Sequence, residues 1–235
     1  MKEATPNSQY NVARPGSLPV RIATHQRRVM YREFIERSGV KDEDRILDVG
    51  VTSDQTYTSS NYFEAWYPHK ARITACGIDD ASFLEVLYPG LTFVTANGLD
   101  LPFADDAFDV VHSSAVLEHV GSFANQVRLI QECARVARRH IFLTTPNRWF
   151  PVEFHTVLPL VHWLPKPAFR ALMRQTGRGF FADEANLNLM SSAELSQAAT
   201  QALRGTGFTP VVATVALGGW PSNLLLVAER RATAS

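Results

Sequence analysis

Four polar clusters stand directly after apolar runs, and each carries groups able to grip a polar ligand. Asp48 and Gly50 close the run Ile46–Val49, and Asp79 follows Ile73–Ile78. Asn97 and Gly98 follow Leu91–Thr95, and Ser113 with Ser114 follow the run that opens at Phe108. A carboxylate just past a strand suits a ribose, because it accepts hydrogen bonds from both hydroxyls. An amide such as Asn97 donates and accepts at an adenine edge. Asp48 lies inside a run that reads as a buried strand, so its carboxylate needs a partner. The series points to an adenosine-bearing ligand lying across one edge of a sheet.

The elements that must position these residues can be read from the same pattern. Apolar runs at 46–49, 73–78, 91–95, 108–112 and 140–145 alternate with helical stretches, which implies βαβ units and a mainly parallel sheet. Apolar positions near helical spacing predict a helix over 22–38, stopped by Gly39. A second helix is expected over 122–138, and a third follows Ser191, which with Glu194 forms a capping-box pattern. Residues 211–217 and 223–228 read as two last strands joined by Gly218-Gly219-Trp220-Pro221, an antiparallel hairpin that closes the sheet. Residues 1–20 are expected to form a flexible arm and 21–235 a single domain. Within that domain, 147–190 is crowded with aromatics, histidines and prolines and shows no clean period. A long irregular insert of this kind reads as a cover over a binding site.

Composition narrows the function further. Lys plus Arg and Asp plus Glu both total 23, so the net charge is zero, which argues against a broad grip on nucleic acid or an anionic membrane. Cys76 and Cys133 are far apart and in apolar surroundings, as expected for reduced core residues of a cytoplasmic protein. The opening Met-Lys-Glu-Ala-Thr-Pro has no apolar core and reads as no signal peptide. The apolar stretch around 158–164 is broken by His162 and bounded by prolines, too short to span a bilayer.

The set LDVG, GID, NGLDLPF, FDVV, LEHV and LTTPN resembles the class I S-adenosylmethionine (SAM)-dependent methyltransferases, in particular their small-molecule, type 11 branch. The resemblance covers roughly 44–147. It implies a Rossmann-like α/β fold, a seven-stranded, mainly parallel sheet with the last strand antiparallel and helices on both faces. It also implies SAM as cofactor and methyl transfer to a small-molecule acceptor, with oxygen as the expected target. Carried over by position, Asp48 and Gly50 would border the methionine part of SAM, Asp79 would hold the ribose, Asn97 and Gly98 would flank adenine, and Ser113 would lie under the sulfonium. The acceptor is expected beneath 147–190. There His155 is the first choice of general base, ahead of Glu153, His162 and His119.

Several positions depart from the family pattern. Thr52 and Asp54 stand where glycines are usual, so the loop after the first strand must follow another path. The 31 residues from Asp48 to Asp79 exceed the ~20 typical of a nucleotide loop and its ribose acid, which predicts an enlarged loop at 51–62. These changes raise, as an alternative, a non-catalytic binding protein on the same fold. A dinucleotide site would need three glycines after the first strand, and Gly50 stands alone. Some relatives hold a divalent metal with an E-x-x-E-H turn; here Ala115 replaces the first acid, two ligands remain, and no metal is expected.

Overall fold

The computed structural model describes residues 16–57 and 59–230. Seven strands form one sheet: β1 (Ile46–Val49), β2 (Ile73–Gly77), β3 (Thr92–Thr95), β4 (Phe108–Ser114), β5 (Ala137–Pro146), β6 (Phe208–Leu217) and β7 (Trp220–Arg230). Their order is β3-β2-β1-β4-β5-β7-β6. The first five pair in parallel, and β7 runs antiparallel to both β5 and β6. The order reverses at β1: the chain moves outward from it through β2 to β3, then crosses back to β4 on its other side, which leaves the crevice in which open α/β sheets bind ligands.

Period-two alternation divides the sheet between two cores. Leu47, Val49, Val111 and Leu143 face α4 (Phe123–Val136) and α6 (Ser192–Ala202). Ile46, Val110 and Phe142 face α1 (Leu18–Ser38), α2 (Tyr62–Trp66) and α3 (Phe83–Leu87). Phe34 of α1 is fully buried against Phe63 and Phe142, with ring centroids 5.2 and 5.4 Å away, so α1 is fixed over the crevice. Burial of such a side chain stabilises by roughly 1.5–3 kcal/mol.

Three boundaries differ from the sequence reading. The expected arm at 1–20 lies mostly outside the described residues, but α1 begins inside it, at Leu18, with Pro19 in the first turn where a missing N–H costs nothing. The helix expected over 122–138 ends at Val136, and Ala137 and Arg138 already belong to β5. The insert 147–190 contains a ten-residue helix, α5 (Lys166–Gln175), whose Phe169 and Met173 pack with Phe181, Leu187 and Leu189 into a small core of their own. Gly39 in the left-handed region and the reciprocal Ser191–Glu194 capping box are formed as expected.

Candidate active site

Asp48 finds its partner on the next strand. It is in register with His112 of β4, and His112 Nδ1 donates to Asp48 Oδ1 at 2.6 Å. The imidazole is stacked on Phe63 at 4.5 Å between centroids and lies parallel to Phe142. Burial lowers the His112 pKa to about 4 and raises that of Asp48 to about 6. Glu64 of α2, also buried, completes the group; burial first, then the nearby Asp48 charge, raises its pKa well above the usual carboxylate value.

The turn after β1 is closed without glycines at Thr52 and Asp54. Gly50 takes φ +96°, and a Cβ there would meet Val116 Cγ2 at 2.1 Å. Neither Thr52 nor Asp54 adopts positive φ. Instead Asn61 Oδ1 accepts from Thr52 N at 3.0 Å and Asn61 Nδ2 donates to Thr52 O at 2.9 Å, which bridges the enlarged loop.

The other nominated residues fall along the carboxyl edge of the sheet. Asp79 lies two residues beyond β2 and is partly exposed. Asn97, beyond β3, accepts from Leu99 N through its Oδ1 at 3.0 Å, a bond within its own turn. Gly98 is pressed against Leu129, which leaves little room for a side chain. Ser113 is buried, and its hydroxyl donates to Val49 O at 2.7 Å, so it ties β4 to β1. Alternation turns Ser114 to the α1 side instead, where it pairs with Thr144 Oγ1 at 3.0 Å.

Ser114 lines a cavity of about 170 Å³ beneath α1, together with Arg27, Tyr57, Glu118, Phe154 and His155. Nothing along the chain marks Arg27, because its neighbours Tyr57 and Ser59 are distant in sequence. Its Nη1 donates to Ser59 Oγ at 2.9 Å, and it pairs with no carboxylate among the described residues. Burial lowers its pKa.

On the far wall His155 meets two elements that are distant in sequence. Its Nδ1 donates to Glu153 Oε1 at 2.7 Å, and its Nε2 lies 3.1 Å from His119 Nε2. His119 Nδ1 faces the Asn186 carbonyl at 2.7 Å and must carry the proton there, so His119 Nε2 is the acceptor toward His155. Burial works to lower the His155 pKa, and the adjacent Glu153 carboxylate outweighs it, leaving a net rise. Burial, then the His155 charge, takes His119 down to about 3. Against a burial that would raise it, the His155 charge holds Glu153 near 2. His162, another candidate base, is buried with Nε2 donating to Phe150 O at 2.7 Å, a packing role.

Strand order, the switch at β1 and polar residues at four successive strand ends define a class I SAM-dependent methyltransferase. Residues 48–143 match the family described as "Methyltransferase domain", and the chain is a SAM-dependent methyltransferase of that class, with SAM as its methyl donor. It is 27% identical to an O-methyltransferase, rstn1, of Aspergillus nomiae over 67% of this chain and 73% of that one. Two solved structures share the fold. Magnesium protoporphyrin IX methyltransferase of Synechocystis, with bound SAH, has a TM-score of 0.58 at 14% identity, covering 95% of this chain and 92% of that one. A SAM-dependent methyltransferase of Methanosarcina mazei has a TM-score of 0.52 at 18% identity, covering 83% of this chain and 96% of that one. No helix among the described residues is long and apolar enough to cross a membrane.

Proposed function

We propose that this methyltransferase acts on an oxygen of a small-molecule acceptor held in the cavity between α1, the ends of β4 and β5, and the insert 147–190. The observation that carries the reading is that cavity. It adjoins the strand ends where the class binds SAM, and its wall combines apolar Pro19, Val20 and Phe154 with polar Ser114, Glu118 and His155. The name of the fungal relative supports oxygen as the target.

The residues present suit SAM. In this reading Asp79 takes the ribose hydroxyls, Asn97 and Gly98 border adenine, and Asp48 and Gly50 shape the floor under the methionine part. Arg27, a guanidinium without a carboxylate partner among the described residues, takes the methionine carboxylate. Ser113 serves by holding β4 to β1. SAM supplies an electrophilic methyl group; the chain's own contribution is orientation, worth up to roughly 7–11 kcal/mol when reacting groups are aligned.

His155 serves the acceptor end. Both its ring nitrogens are engaged, so action as a base requires that the proton shared with His119 leave first. Titration calorimetry with SAM and its demethylated product, followed by mass analysis of a metabolite extract incubated with enzyme and SAM, tests the proposal. One oxygen-bearing compound gaining a single methyl group is expected. No SAM binding at millimolar ligand, or a methyl group found only on nitrogen or carbon, overturns it.

A further inference from the structure

We propose that Glu118, His119 and His155 form a binding site for one divalent transition-metal ion that opens onto the acceptor cavity. A carboxylate oxygen of Glu118 and one ring nitrogen from each histidine lie within 4.8 Å of one another. His119 Nε2 is 3.1 Å from His155 Nε2 and 3.8 Å from Glu118 Oε1. Metal bonds of ~2.0–2.2 Å at tetrahedral or octahedral angles hold ligand atoms roughly 2.9–3.5 Å apart, so a small turn of the Glu118 carboxylate completes the set.

The atoms behind the ligands are arranged as metal sites require. A ligating histidine donates its other N–H to a fixed acceptor, which sets the tautomer and aims the free lone pair. Here His119 Nδ1 is tied to the Asn186 carbonyl and His155 Nδ1 to Glu153, both at 2.7 Å. Glu118 Oε2 accepts from Thr145 Oγ1 at 2.9 Å. In each ligand the outer atom is anchored and the inner one points at the shared space.

A second observation is independent of this clustering. The Glu118 side chain is 0% exposed, and its Oε1 has no hydrogen-bond partner among the described residues. An unsatisfied carboxylate oxygen in such a place is costly, and a cation beside it removes the cost. The two Nε2 atoms are held together by one shared proton, which an ion of charge +2 would displace. Two imidazoles and one carboxylate favour Zn²⁺, Fe²⁺ or Ni²⁺ over Mg²⁺, which prefers oxygen and water.

Glu118 and His155 line the cavity, so coordination positions left open face the space proposed for the acceptor. An acceptor hydroxyl that ligates the ion gives up its proton to solvent more readily and keeps its oxygen lone pair in place. This role rests on the O-methyl transfer reading; metal binding itself does not. His155 is then a ligand, which accounts for a histidine whose two nitrogens are both occupied.

The test uses untagged full-length protein, stripped with a chelator and titrated with Zn²⁺ and, in parallel, Co²⁺, without SAM or acceptor. One ion per chain is expected, with visible Co²⁺ absorption of a nitrogen-ligated site. His155→Ala and the near-isosteric Glu118→Gln should each weaken Zn²⁺ binding at least tenfold and diminish the Co²⁺ bands, with circular dichroism and SAM affinity unchanged. Less than half an equivalent of Zn²⁺ at micromolar free ion, or equal affinity in both variants, overturns the site. Because the readout needs no methyl transfer, its failure leaves that reading standing, and the converse holds.

Discussion

Asp48 and His112 face each other across β1 and β4, 64 residues apart in sequence and joined at 2.6 Å. Neither is a surface pair: His112 is 1% exposed and Asp48 7%. At that depth the pair is a carboxylate with a neutral imidazole near pH 7, since burial holds His112 near 4 and Asp48 near 6. Glu64 adds a third buried titratable group nearby, raised by burial and by the Asp48 charge.

The pH dependence of stability follows from the direction of each shift. Asp48 is raised from 3.8 to about 6, so its contribution is complete below 3.8 and lost as pH rises through 6. His112 is lowered from 6.5 to about 4, so its contribution is complete above 6.5 and lost as pH falls through 4. These slopes oppose one another between 4 and 6. Glu64, raised well above 4.5, loses stability as pH climbs above 4.5 and has no counterweight near neutrality. Glu64→Gln removes that loss. Urea denaturation at pH 5 and 7.5 should show the variant gaining on the wild type with pH, by at most ~1.4 kcal/mol per pH unit. A constant difference at the two pH values would reject the buried-acid assignment.

Gly50 combines a positive φ with a close neighbour. Gly50→Ala should cost ~1–2 kcal/mol for the left-handed backbone and ~1–3 kcal/mol for overlap with Val116. Adding Val116→Ala should recover the second part only. Thermal or chemical denaturation of the two single variants and the double variant measures this coupling; strict additivity would show that the contact is not felt.

Arg27 separates stability from function. Arg27→Met removes a half-buried charge that has no carboxylate partner among the described residues, so the variant should be at least as stable as the wild type. If the guanidinium holds the methionine carboxylate, SAM binding should weaken by ~1.5–3 kcal/mol. Calorimetry decides: undiminished SAM affinity rejects the assignment.

Asp79→Ala should weaken SAM by ~1–3 kcal/mol, as expected for hydrogen bonds to a charged group. Fluorescence or calorimetric titration checks it, and unchanged affinity means that the ribose lies elsewhere.

Much of this molecule is legible along the chain. Apolar runs, the stops at Gly39 and Gly50, and the Ser191–Glu194 capping box are local, and local chemistry is enough to place β1, β2, β4, α6 and the final hairpin. The polar residue after each strand is local too, which is why the strand-end series could be read before any pairing was known. Asp48 even announced its need of a partner, because a carboxylate in an apolar run is costly wherever the fold carries it.

Tertiary structure decided which partner and which face. His112 reaches Asp48 only through the register of two strands, and alternation sends Ser113 inward and Ser114 to the cavity. Arg27 looks like any helix arginine until Tyr57 and Ser59 come to lie beside it. Glu118-His119 alone is two ligands; the third, His155, arrives from an insert 36 residues away, held by Glu153 and facing a histidine tied to Asn186. Spacing along a chain fixes what a residue is able to do. Distances between segments that meet only in the folded state fix what it does together with others.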